Sequence, residues 1–483
     1  MKENIKQQTI SGLFWRFAER CGAQGIQFLV SIVLARLLTP EDYGLSGLIM
    51  VFISIAFVFA TGSFGQALVQ KHNADNKDFS SVLYFSLMIS IIIYIIMFFA
   101  APFIARFYDE EKLIAMVRVL SIGIIIGTVN SVQQAYVQKT MQFKKFFGAT
   151  LSGTVTSAFV GIVMAYKGYG VWALVGQNLS NQLVGMIVLF FTMDWRPEWV
   201  FSPKRVRKLF SYGWKLLCSN LLDTIYNNIY SLIIGKCYTS ADLGYYNRGK
   251  QFPILIVQNV NTTIDSVLFP VMSEVQQDKE KLKGIVRRSI TTSTFVIFPL
   301  MAGLAGIAKP LTLLLLTEKW LPAVPFIRFC CFTYAFWPIH TANLQAIKAV
   351  GRSDIFLKLE IAKKIIGVLG LCISIPFGLY TMMWVRCLTT IISSFINAFP
   401  NKKLLGYSYW EQVKDMLPSF VLSIVMCGII TGFNSLPIHS IWTLLIQITV
   451  GVIVYIGAAK LFKLEHFDYI LNTIKDIIKG RKK

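Results

Sequence analysis

The chain has 483 residues, 55% of them hydrophobic and 15% charged, with a mean hydropathy of +0.58. Soluble domains carry about 25% charged residues, so this composition points away from a soluble protein and toward a polytopic membrane protein. A formal charge of +22 would suit a nucleic-acid partner, but its distribution along the chain argues for membrane topology and no nucleic acid.

Residues 1–9 are polar, and no apolar stretch with a small-residue cleavage site follows, so no signal peptide is expected. Apolar windows near the roughly 17–25 residues that cross a bilayer then recur. Turn punctuation divides them into fourteen spans at 12–36, 44–69, 80–105, 113–136, 148–166, 171–192, 211–236, 250–271, 287–316, 323–346, 359–376, 379–399, 416–433 and 440–462. Spans 1, 7 and 8 are weakly hydrophobic. About two thirds of the 47 Lys and Arg fall in the amino terminus, the loops after even-numbered spans and the tail. Positively charged short loops stay cytoplasmic, so both termini are expected there, and the polar loops "KHNADNKDF" and "SEVQQDKEK" lie on that side.

The stretch "LLTPEDYG" after span 1 returns as "YTSADLGYY" after span 7: Thr39, Asp42 and Gly44 correspond to Thr239, Asp242 and Gly244. With weaker echoes after spans 4 and 10, this predicts a tandem repeat in one orientation. The expected fold is an all-α polytopic membrane protein of about fourteen transmembrane helices. Two six-helix lobes, 1–200 and 201–400, form a parallel pseudo-repeat around a central cavity. Residues 401–462 add two spans, and 463–483 form a basic amphipathic tail under the membrane.

Charged groups at membrane depth face a partner or a water-filled cavity. Span 1 carries Arg16, Glu19, Arg20, Gln24 and Gln27 at intervals of three or four, one polar stripe on one helix face. Span 7 carries Lys215, Asp223, Tyr226 and Asn227, span 8 carries Gln258 and Asp265, and span 4 carries Arg118. Surplus cations among amides and phenols suit an anionic, hydroxyl-rich substrate, because phosphates take Arg as a fork and Lys as a point charge. Trp195, Trp199, Trp320 and Trp410 are expected as interfacial anchors at span ends. Eight scattered Cys and four dispersed His give no disulfide framework and no zinc motif. Walker, GxGxxG and GxSxG signatures are absent, so no catalytic residue, metal or cofactor is expected.

"SIVLARLLTPEDYGLSGLIMVFISIAFVFATGSFGQALVQK" and "ADLGYYNRGKQFP" resemble the polysaccharide exporter family of Wzx-type flippases, within the multidrug, oligosaccharidyl-lipid and polysaccharide exporter superfamily. The resemblance implies a fold of two six-helix lobes in a V, as in multidrug extruders of that superfamily. It implies translocation of an undecaprenyl-diphosphate-linked oligosaccharide by alternating access across the bacterial cytoplasmic membrane, for O-antigen, capsule or exopolysaccharide synthesis. Partners would be the lipid-linked sugar, membrane lipids, and polysaccharide polymerase and assembly proteins. Arg16, Arg20, Arg118 and Lys215 would bind the diphosphate, with Gln24, Gln27, Tyr226, Asn227 and Gln258 lining the cavity; Glu19, Asp223 and Asp265 are available for ion coupling. Alternatives are a cation-coupled multidrug extruder, a lipid II flippase, or a membrane glycosyl polymerase or ligase.

Overall fold

The computed structural model describes residues 2–435, 439–462, 464 and 467. The chain runs through α1 (Lys2–Leu37), α2 (Pro40–Thr61), α3 (Phe64–Gln70), α4 (Asn76–Tyr108), α5 (Lys112–Leu120), α6 (Ile122–Lys139), α7 (Phe143–Tyr166) and α8 (Trp172–Thr192). It continues with α9 (Pro203–Cys237), α10 (Ser240–Glu274), α11 (Lys279–Leu315), α12 (Val324–Ala335), α13 (Trp337–Ala349), α14 (Ser353–Ser374), α15 (Leu379–Leu405), α16 (Tyr409–Gly432) and α17 (Ser440–Leu461). Each of the fourteen segments expected from the sequence coincides with helix. Span 2 is interrupted where Gly62 and Ser63 both take left-handed backbone, with φ of 52° and 57°. Spans 4 and 10 bend at Ser121 and Phe336, which separate α5 from α6 and α12 from α13.

Ten of these segments are long and apolar enough to cross a membrane. Spans 1, 7, 10 and 11 fall outside that group. Polar stripes lower the hydropathy of α1 and α9, a bend divides α12 from α13, and α14 carries Glu360, Lys363 and Lys364. Yet α14 exposes Leu357, Ile361, Ile365, Leu369 and Ile373, one apolar residue per turn. A continuous stripe of that kind is what a helix presents to lipid. The protein is a multi-pass membrane protein.

Backbone contacts divide the chain into two compact units, Met1–Gly244 and Tyr245–Lys483. Compactness therefore groups α9, the expected first helix of the second lobe, with α2, α3 and α4.

In the first unit, α7 packs along α8 and α1. Small residues permit the approach: a Cβ at Gly153 would stand 2.8 Å from the Asn181 carbonyl oxygen, and one at Gly161 would stand 3.1 Å from Gln177. The loops of this unit gather at two ends. At one end, Asp78 is fully buried and accepts from Lys71 at 2.5 Å and from Arg205 at 3.0 Å. Arg205 also reaches Asp75 at 2.5 Å. Lys145 meets Asp194 at 2.8 Å, and the Glu198 and Ser202 amides donate to the Ser80 and Ser81 hydroxyls. The loops after spans 2, 4 and 6 thus share one end. At the other, Lys236 donates to the Phe107 carbonyl and pairs with Asp109 at 3.2 Å, and the Ser240 hydroxyl reaches Glu110 at 3.2 Å.

In the second unit, α11 is the central helix, packed by α12, α13, α15, α16 and α17. Tyr455 of α17 donates to the Phe295 carbonyl at 2.8 Å, and Leu464 and Phe467 pack against that contact. The rest of the expected amphipathic tail lies outside the described residues. Two of the expected interfacial tryptophans are corrected. Trp199 and Trp410 are exposed, but Trp195 is buried against Phe79 and Tyr136, and Trp320 is buried beside Tyr245 and under the Arg248 guanidinium. Both fill a packing gap where a ring has more to bury than an interface offers.

Candidate functional site

The repeated turns have one construction. Thr39 caps α2: its hydroxyl accepts from the Asp42 amide at 3.2 Å, while the Asp42 carboxylate accepts from the Thr39 amide at 3.0 Å. Thr239 and Asp242 repeat this at the start of α10, at 3.1 and 3.2 Å. This is the capping box, which satisfies two otherwise orphaned amides at a helix start, with Asp in place of the usual Glu or Gln.

On α1, Trp15 stacks obliquely on Phe147 with ring centroids 5.3 Å apart, and Val30, Leu34 and Leu38 bury themselves against Ala165, Ala173 and Leu174. These contacts fix which side of α1 faces α7 and α8. Gln27 is exposed, and Glu19 and Gln24 are half-buried. Arg16 and Arg20 lie on the same helix, their side chains outside the described residues. On α9, Gly213 packs against the Gly62 carbonyl and the Asn220 amide donates to the Ser63 hydroxyl at 3.0 Å, so the break between α2 and α3 seats this helix. Lys215, Asp223 and Asn227 are exposed, and Tyr226 is half-buried. Arg118 stands elsewhere: its guanidinium lies 4.1 Å from the Phe98 ring centre, and its Nε donates to the Phe98 carbonyl at 3.4 Å.

In the second unit, Gln258 is exposed on α10, and Asp265 accepts from the Gln345 amide of α13. One turn away, Asn261 accepts from Thr341 at 2.7 Å, so α10 and α13 are joined by two polar rungs. Behind them α13 reaches α15 and α16. Asn343 donates to Gln412 at 2.9 Å, its carbonyl oxygen accepts from Asn401 at 2.7 Å, and His340 meets Asn397 at 3.0 Å. Asn343, Asn397, Asn401 and Gln412 are all buried. Of these residues only Gln258 and Asp265 of α10 were singled out from the sequence as site candidates. Asn397 and Asn401, four apart, and the amide row Gln177, Asn178, Asn181 and Gln182 of α8 carried the same signal. Such amides hydrogen-bond between helices where no water is available.

Among the described residues no group of His, Cys, Asp and Glu is arranged to hold a metal ion. The described cysteines are free. The arrangement offers hydrogen-bond donors, cations and carboxylates on apolar helices, groups that can interact with a polar solute at membrane depth.

Such a helical array with polar intramembrane faces defines a multi-pass membrane protein. The polysaccharide biosynthesis protein family matches residues 33–325, and the chain belongs to that family. It is 23% identical over 463 residues to the teichuronic acid biosynthesis protein TuaB of Bacillus subtilis strain 168, covering 94% of this chain and 95% of TuaB. The succinoglycan biosynthesis transport protein ExoT of Rhizobium meliloti strain 1021 is 20% identical, with 100% and 98% covered. The lipopolysaccharide biosynthesis protein WzxC of Escherichia coli K12 is 21% identical, with 87% and 86% covered. Among solved structures, the lipid II flippase MurJ in an inward closed conformation superposes with a TM-score of 0.72 at 15% identity, covering 94% of this chain and 98% of MurJ. An inward-facing multidrug resistance transporter of the MATE family, in the MOP superfamily, gives 0.61 at 16% identity, with 78% and 95% covered. The chain shares their fold.

Proposed function

We propose that this protein moves a polyprenyl-diphosphate-linked oligosaccharide across the bacterial cytoplasmic membrane by alternating access, for cell-surface polysaccharide synthesis. The observation that carries the reading is the placement of cations and amides on two weakly hydrophobic helices, α1 and α9, in a chain of this family. Relatives named for teichuronic acid, succinoglycan and lipopolysaccharide biosynthesis support it. Arg16, Arg20 and Lys215 bind the diphosphate, while Gln24, Gln27, Tyr226, Asn227 and Gln258 take hydroxyls of the sugar. Arg118 belongs to this set by charge, and its guanidinium lies against the Phe98 ring. Glu19, Asp223 and Asp265 are the carboxylates available for proton or sodium coupling. The gathering of the basic loops 71–79, 137–147 and 193–208 at one end of the first unit supports a cytoplasmic location for that end; the basic tail, by its charge, is proposed to be cytoplasmic as well. Polymerase and assembly proteins are the partners this role requires.

The charge balance separates this reading from a drug extruder. A cavity for cationic drugs needs an excess of carboxylates, whereas Arg16, Arg20, Arg118 and Lys215 outnumber Glu19, Asp223 and Asp265. The test is translocation in proteoliposomes loaded with lipid-diphosphate oligosaccharide, scored by access of an added glycan-modifying enzyme. Wild type is expected to expose the glycan, and Arg16→Ala with Arg20→Ala to lose that exposure while staying folded. A wild-type protein that moves no such lipid, with a proton or sodium gradient imposed, would sink the reading.

A further inference from the structure

We propose that an uncharged segment of the transported sugar chain binds along a line of four amides on α6 and α8: Asn178, Gln182, Asn130 and Gln134. The inference rests on the translocation reading above and adds a neutral site to the cationic one. The two helices pack together in the first unit. Each carries four Asn or Gln, and Lys139 in the last turn of α6 is the one charged residue of the pair.

Some of these amides fasten helices. Gln133 donates to the Met186 carbonyl at 3.3 Å, and Asn181 donates to the Ser157 hydroxyl at 3.2 Å. The four named above do not. Gln182 donates to Asn178 at 2.7 Å and Gln134 to Asn130 at 3.3 Å, each pair one turn apart on its own helix. A bond along one helix joins it to nothing, so interhelical fastening does not account for these amides. Each pair also keeps a glutamine carbonyl and an asparagine NH2 group to spare. Among the described residues, the further partner of Asn178 is the Met50 thioether at 3.9 Å, a weak acceptor.

The pairs make one line. Gln182 lies over two glycines of α6: a Cβ on Gly123 would stand 3.3 Å from its Nε2, and one on Gly127 would stand 3.0 Å from its Oε1. Asn130 faces the next turn of α8, where a Cβ on Gly185 would stand 3.8 Å from its Nδ2. From Asn178 to Gly185 and on from Asn130 to Gln134 is about 16 Å along the helices. On α8 the exposed apolar stripe is Leu183, Ile187, Phe190 and Phe191. Asn178 and Gln182 lie on the other side of that helix and remain half-buried, as do Asn130 and Gln134. Polar groups turned away from lipid and still accessible face a polar space.

Chemistry selects the occupant. An amide donates and accepts side by side, which matches the adjacent hydroxyls of a sugar. A phosphate finds no cation on this line, and a cationic drug finds no carboxylate. The two ends of a sugar diphosphate are therefore taken by different helices, the anion by α1 and α9 and the neutral sugar by α6 and α8.

The experiment measures binding of two probes to the full chain in nanodiscs by microscale thermophoresis. One is the lipid-diphosphate oligosaccharide of the source cell; the other is the same lipid trimmed by exoglycosidases to its first sugar. Wild type is expected to prefer the untrimmed lipid. Gln134→Met with Gln182→Met keeps side-chain length and removes both amides, and should lower that preference about tenfold. Each single Met variant should lower it about threefold. Arg16→Ala with Arg20→Ala should weaken both probes and keep the preference. A preference retained in the Met variants overturns the proposal, and so does a double variant whose affinity for both probes falls in step, which marks a structural role. Equal binding of the two probes by wild type removes this site alone, whereas a wild type that binds neither removes the translocation reading and this site with it.

Discussion

Gly44 and Gly244 meet backbone to backbone. A Cβ on Gly44 would overlap the Ser240 carbonyl, and one on Gly244 would overlap the Pro40 carbonyl. The contact is reciprocal: each glycine sits on the first turn of the other repeat's capped helix. Hydrogen at Cα is all that fits there.

Gly44→Ala and Gly244→Ala should therefore each destabilise the protein, by about 1–3 kcal/mol as overpacking does. The two costs should not add. The first methyl separates the turns, and the second then enters space already opened. Thermal unfolding of the two single variants and the double variant measures this directly, and full additivity would count against the reciprocal contact.

The buried Asp78 carboxylate holds Lys71 and Arg205 together. Asp78→Asn removes the charge and leaves two cations facing an amide. The expected loss is roughly 1–3 kcal/mol, below the range for a fully buried pair because both cations keep partial access to water. Arg205→Lys should cost less but still be measurable, since one ammonium replaces a fork that spans Asp75 and Asp78. Scanning fluorimetry of the three proteins checks the order.

Asp75 sets a pH expectation. Partial burial pushes its carboxyl up, but the Arg205 guanidinium and hydrogen bonds from Asp78 outweigh that and bring it down to about 2. A carboxylate lowered in the folded state contributes stability above its unfolded value of about 3.9, and loses it as pH falls toward 2. The stability difference between wild type and Asp75→Asn should stay flat from pH 8 to 5 and shrink below about pH 4. Its size is a fraction of a kcal/mol, because the side chain is half exposed. A difference that already closes between pH 7 and 5 would contradict the pairing.

Asn343 is the hub of the second unit's buried amides. Asn343→Ala strands Gln412 and Asn401, at about 1–3 kcal/mol for each group left unsatisfied. Asn343→Asp keeps acceptors for Asn401 and Gln412 but buries a charge, so it should rescue little. Unfolding of both variants, with Thr341→Val as a rung-only comparison, tests whether the network acts as one unit.

Periodicity and hydropathy were enough to locate ten of the described helical segments, because lipid demands long apolar runs and leaves little freedom in reading them. The four segments with sparse apolar windows, α1, α9, α12 with α13, and α14, were legible from their turns. Compactness was not. Nothing in residues 203–237 says that Gly213 and Asn220 dock on the break at Gly62 and Ser63, because that contact depends on two left-handed residues whose effect is three-dimensional. The same limit applies to tryptophan: Trp195 and Trp199 are four residues apart with similar surroundings in sequence, yet one is buried and the other almost fully exposed. Among candidate site residues, the stripes of α1 and α9 could be read at helical spacing. The attachment of Asp265 to Gln345, and of Arg118 to Phe98, depended on neighbours far along the chain.

Pro40 meets Gly244 as Ser240 meets Gly44, so the junction obeys the rule of an isologous interface, in which each side presents the same surface to the other. Two separate polypeptides related by a two-fold axis make contacts of this form. Here both copies sit in one chain, two hundred residues apart, which is the trace expected if a half-length ancestor paired with itself before its gene was duplicated and fused. Under that history the turn was shaped as a dimer contact first, and either copy can drift only as far as its twin allows.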